Sequence, residues 1–135
     1  MNRHPYLRAY LAGIALPTIF LPLGFLTFVI AHAYCDIPIQ IERAIAFPLA
    51  FVPNLWGLWN MLHLRLQMSF RWPIGPHGAL APVVFVPFGY MAARELGVTA
   101  LTPSVLFIAW PILIAVYYLI WKYLVGFLNE QLGIG

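Results

Sequence analysis

Apolar residues run along this chain in four blocks, 9–35, 44–64, 72–93 and 96–121, none of which contains an Asp, Glu, Lys or Arg. A helix needs about 20 apolar residues to cross the hydrocarbon core of a bilayer. The blocks therefore predict four transmembrane helices, over 9–33, 44–64, 78–97 and 103–127. The expected fold is all-α: one polytopic membrane domain filling residues 1–135.

Boundary signals refine these spans. The stretch Leu62–Trp72 alternates apolar and polar residues, which is the period of a strand. A lone strand lacks partners, however, and Leu, Met, Gln and Arg favour helix. Span 2 is therefore expected to run past His63 and stop before Pro73, with Pro73–Gly78 forming a turn into span 3. Gly97 and Thr99 mark the end of span 3 just beyond Arg94 and Glu95, leaving that charge pair at the membrane interface. Thr102-Pro103-Ser104 reads as a helix start, with Thr as N-cap and Pro in the first turn.

Composition agrees with the pattern. The chain is 63% hydrophobic and 8% charged, with a mean hydropathy of +0.87, against about 25% charged residues in a soluble domain. The first block, preceded by Arg3 and Arg8 and carrying Ala31-His32-Ala33, has some features of a cleavable signal. Signal cores are about 7–15 residues long, so the longer block is read as a span. The single cysteine, Cys35, excludes an internal disulfide.

Basic residues orient the spans. Arg3, Arg8, Arg65, Arg71 and Lys122 fall on one side with Glu130, a net of +4. Arg43 and Arg94 fall on the other with Asp36, Glu42 and Glu95, a net of −1. Both chain ends are accordingly expected in the cytoplasm, with a bacterial inner (plasma) membrane as the location. The pI near 9.3 reflects this asymmetry, so nucleic acid is not an expected partner.

A repeat underlies the blocks. Pro-x-x-Phe-x-Pro occurs at 17–22, 48–53 and 82–87. A shift of 65 residues places Gly13 on Gly78, Pro17 on Pro82, Phe20 on Phe85, Pro22 on Pro87, Gly24 on Gly89 and Pro38 on Pro103. Two similar helical hairpins follow, roughly 1–67 and 68–135, related by a pseudo-two-fold along the membrane normal. Pro17, Pro22, Pro48, Pro53, Pro82, Pro87 and Pro111 are the expected kinks, since each removes an amide donor inside a span. Pro48 and Pro82 are placed near helix starts, where that loss is harmless.

Polar residues inside the spans are the candidate site. On a helix, Trp56, Trp59, Asn60, His63 and Gln67 form one stripe, and Asn54, Gly57 and Met61 another. Such residues bind neighbouring helices together, or line a pocket. Asn54, Trp56, Trp59, Asn60, His63 and Tyr117 are the ligand-binding candidates on the second view. Among the histidines, His32 lies at the opposite face from His4, His63 and His77, so His32 and His63 cannot share one iron, whereas His63 and His77 could. No Cys or carboxylate lies near enough in sequence to complete a zinc site. No metal and no cofactor is expected.

The sequence holds no Ser/His pair, no paired carboxylates and no glycine-rich phosphate loop, so no catalytic activity is expected. The leading expectation is a small non-enzymatic membrane protein that forms a homo-oligomer or joins other membrane subunits within the lipid bilayer. The alternative is a carrier or binding protein for an apolar or amphipathic small molecule.

Overall fold

A computed structural model describes residues 4–35, 41–95, 97 and 102–134, with the side chains of 41–47 excepted. Pro38, Thr99 and Asp36 lie outside these residues. Helix α1 spans Pro5–Cys35, α2 Ile41–Phe70 and α3 Ile74–Glu95. Helix α4, Pro103–Leu119, continues through a π-helical segment, Ile120–Val125, into α5, Gly126–Gln131. The described residues contain no strand, and the alternating stretch Leu62–Phe70 is helical. Among the described residues, two helices, α1 and the continuous Pro103–Gln131, are long and apolar enough to cross a membrane.

Local chemistry sets most boundaries. The Thr102 side chain accepts from the Val105 amide at 3.3 Å, with Pro103 in the first position, as the sequence implies. Helix α3 ends at Glu95, and Gly97 takes a positive φ of 74° while its amide returns to Arg94 O at 3.0 Å. Arg94 and Glu95 are both exposed there, and the Arg94 guanidinium lies 5.8 Å from the Tyr90 ring centre. Arg71, at φ 51°, breaks the chain between α2 and α3.

Two expectations are corrected. The segment Pro73–Gly78 is not a turn: α3 already begins at Ile74, and the His77 amide bonds to Pro73 O at 3.3 Å. Pro76 fits because the first turn of a helix has no use for its missing N–H. Pro48 and Pro82 lie well beyond the first turns of α2 and α3, so neither occupies a harmless starting position. All seven prolines flagged as kinks sit inside helices.

The helices pair as antiparallel hairpins, α1 with α2 and α3 with α4–α5. Glycines stand at the crossing of each hairpin. A Cβ on Gly13 would lie 2.8 Å from Gly57 Cα and closer still to the Trp56 carbonyl, so α1 and α2 touch backbone to backbone. A Cβ on Gly78 would overlap the Trp121 side chain. In chain spacing, Gly78 and Trp121 repeat Gly13 and Trp56.

Burial is concentrated where these crossings meet. Ala9, Ala12, Gly13 and Pro17 are buried in the first half of α1, whereas Thr18–Cys35 is exposed apart from half-buried Leu21 and Ala31. The joint draws further on the C-terminal half of α2, the N-terminal half of α3, and the stretch from Trp121 to Ile134. One apolar cluster holds Ala9, Ala12, Leu64 and Ile134, and a second holds Trp56, Trp121 and Val125.

The last turn of α5 completes the first cluster. The Gly133 amide bonds to Glu130 O at 3.0 Å and the Ile134 amide to Asn129 O at 2.9 Å. With Gly133 at φ 69°, this is the Schellman arrangement of a helix end. It turns Ile134 inward, where it is 9% exposed, and the Arg8 guanidinium caps Leu132 O at 3.1 Å.

Thermal unfolding in detergent, followed by circular dichroism, tests the crossings. Gly13→Ala and Gly78→Ala should each cost about 1–3 kcal/mol through overpacking. Gly24→Ala and Gly89→Ala meet nothing within 4 Å and should be neutral or stabilising by up to about 1 kcal/mol. A second expectation concerns the cap. Gly133→Ala should lower stability by about 1–2 kcal/mol, because an L side chain is strained at that φ.

Candidate functional site

The stripe on α2 lies in the joint between the hairpins. Trp56, Asn60 and His63 are buried and Trp59 is half-buried, each one helical turn or less from the next. What they meet was only partly readable from the sequence.

Asn60 is fully buried, at 0% exposure. Its amide Nδ2 donates to Ala9 O at 2.8 Å and to Asn129 Oδ1 at 2.7 Å. Asn129 Nδ2 donates back to Asn60 Oδ1 at 3.1 Å. Two buried amides from opposite hairpins thus satisfy each other, and a third bond reaches α1. Asn129 escaped the sequence reading, yet Trp121, Val125 and Asn129 follow one another at four-residue steps, the signature of a single helix face.

Trp56 holds the centre. Its indole Nε1 donates to the Tyr117 hydroxyl at 3.2 Å, and its ring meets those of Tyr117 and Trp121 at 5.1 and 5.7 Å. Tyr117, from α4, thus meets the α2 stripe. Asn54 does not: it is exposed on another face of α2, accepts from the Tyr10 hydroxyl, and donates to Ala50 O at 3.0 Å.

Trp59 and His77 form a second reciprocal pair. Trp59 Nε1 donates to His77 O at 3.0 Å, and His77 Nε2 lies 2.9 Å from Trp59 O. Their rings stack at 4.8 Å. His63 comes within 5.0 Å of His77, ring centre to ring centre. Trp121 meets His77 edge to face at 5.7 Å. A comparable link within the second hairpin runs from Trp110 Nε1 to Pro82 O at 3.1 Å. Lys122, on the π-helical segment, is exposed between the Tyr118 and Tyr123 rings, 5.6 and 5.2 Å from their centres.

The arrangement is a polar seam inside an apolar joint. Most of its donors and acceptors meet groups of this same chain. Neither family models, nor curated proteins, nor solved structures match the sequence.

The amide pair gives a sharp test. Asn60→Leu and Asn129→Leu each strand a buried amide, and each should cost about 1–3 kcal/mol. The double variant strands neither amide against the other, so its cost should fall below the sum by about 1 kcal/mol. A double-mutant cycle on thermal or denaturant unfolding reads the difference.

Proposed function

We propose that this chain is a multi-pass integral membrane protein in which all four long helices cross the bilayer as two hairpins, with both chain ends on the cytoplasmic side of a bacterial inner membrane. The charge difference between the two sides supports that orientation. The matched crossings, Gly13 with Trp56 and Gly78 with Trp121, support descent of the hairpins from one duplicated unit. So does the openness of Gly24 and Gly89, which occupy corresponding places in the repeat.

Its role is non-enzymatic: it assembles with further copies or with other membrane subunits through its helix faces. One observation carries this reading: among the described residues, burial falls at one end of the hairpins. Phe20, Phe88, Phe107 and Ile108 are 60%, 70%, 82% and 67% exposed. Apolar surface of this kind is satisfied by lipid or by neighbouring helices. Asn60 and Tyr117 direct polar groups toward partners in their own chain, which favours a subunit over a carrier for a small molecule.

The topology is testable with the native cysteine. Cys35 is exposed at the end of α1. A membrane-impermeant maleimide added to intact spheroplasts should label it. In a Cys35→Ser background, Arg71→Cys should label only after permeabilisation. Labelling of Arg71→Cys in intact spheroplasts would reject the orientation. Native mass spectrometry after gentle extraction then reads the assembly: a defined oligomer or retained polypeptides support the subunit role, and a monomer retaining a small molecule refutes it.

A further inference from the structure

Two threonines inside α1 spend their hydrogen bonds within their own helix. The exposed Thr18 and Thr27 hydroxyls each have one proton, given to Ile14 O at 2.6 Å and to Leu23 O at 2.9 Å. Asn54 is different. Its side-chain amide has two N–H groups and an oxygen with two lone pairs. One N–H goes to Ala50 O at 3.0 Å, and one lone pair accepts from the Tyr10 hydroxyl. One N–H and one lone pair are left over, on a residue that is exposed.

Depth makes that surplus costly. Asn54 stands at the midpoint of the charge-free block 44–64, about 15 Å of helix from either end. With α2 across the bilayer, no water reaches this level and the spare N–H faces hydrocarbon. Asparagine in such a place binds helices together.

The surroundings offer a face. Phe51, Leu58 and Leu62 lie on the same side of α2 as Asn54 and are 51%, 56% and 42% exposed. Arg65 continues the face just past the block, level with the headgroups. An apolar helix face with a single asparagine is the pattern that sets register and partner number when helices pair.

The surplus on Asn54 is one donor and one acceptor, so the group is complementary to itself. The chain already contains the bond in question: Asn60 and Asn129 exchange N–H···O bonds at 2.7 and 3.1 Å. Copies inserted with one orientation carry Asn54 at one depth, and a two-fold axis along the membrane normal brings each amide to its counterpart. The second hairpin lacks such a group, because the 65-residue shift places Asn54 on Leu119, which is 52% exposed. One self-complementary face per chain closes a pair. We propose that the Asn54 face of α2 is a homodimer interface in which the two Asn54 amides exchange hydrogen bonds in the middle of the membrane. This deepens the subunit reading above and rests on α2 crossing the bilayer.

The full chain, labelled at Cys35 with donor or acceptor dye, is reconstituted in phosphatidylcholine vesicles, and energy transfer is followed as lipid dilutes the protein. Wild type should associate, and Asn54→Leu should weaken association about tenfold. Tyr10→Phe, which removes only the bond within the chain, should associate as wild type does. Circular dichroism reports whether each variant is folded. In a Cys35→Ser background, oxidation of native membranes with copper–phenanthroline should crosslink Leu58→Cys to a second copy and leave Leu119→Cys uncrosslinked. Undiminished association of folded Asn54→Leu, or crosslinking through Leu119→Cys instead, overturns this interface and leaves the subunit reading standing. A Leu58→Cys adduct with a different polypeptide overturns the second copy as occupant. A chain that stays monomeric in vesicles and crosslinks to nothing overturns the interface, and the native mass spectrometry above decides the subunit reading separately.

Discussion

The approach of Gly13 to the backbone of Trp56 and Gly57 is the constraint on which the rest of the joint depends. Helices separated by ordinary side chains lie about 8–10 Å apart. Removing the Cβ brings α1 in until Ala9 O reaches the Asn60 amide, which in turn holds Asn129. The same step taken by Gly78 under Trp121 brings α3 against the π-helical segment and places His77 between Trp59 and Trp121. Close approach comes first, and the hydrogen bonds follow from it.

This order explains how so apolar a chain carries polar side chains in its interior. An isolated buried amide or imidazole is costly where water cannot replace its partner. Reciprocal pairing answers the cost twice, once between two asparagine amides and once between the Trp59 and His77 rings and carbonyls. Directional pairs of this kind also define a register that apolar contacts alone would leave loose. Trp56, between Tyr117 and Trp121, fixes the same register by shape.

Much of the helical layout was legible in the sequence, because charge-free blocks, Thr102-Pro103 and Gly97 act locally. The α2 stripe was legible too, since helical period alone places Trp56, Asn60 and His63 together. Its partners were not. Asn129 sits in the chain far from Asn60, and only tertiary packing decides that they meet. The start of α3 was misplaced because Pro73, Gly75 and Pro76 read as a turn, whereas prolines before and within a first turn are compatible with helix. Helical period sets Asn54 on a separate stripe of α2 from Trp56 and Asn60, and its partner there is Tyr10.

The closure of α5 makes the two halves of the chain depend on each other. Asn129 and Ile134 come after all the long helices in chain order, yet they complete a cluster that begins with Ala9 and Ala12. Without them, the first hairpin would hold the Asn60 amide without its reciprocal partner and an apolar face without its cover. Neither hairpin is a finished unit by itself: each supplies half of one shared interior.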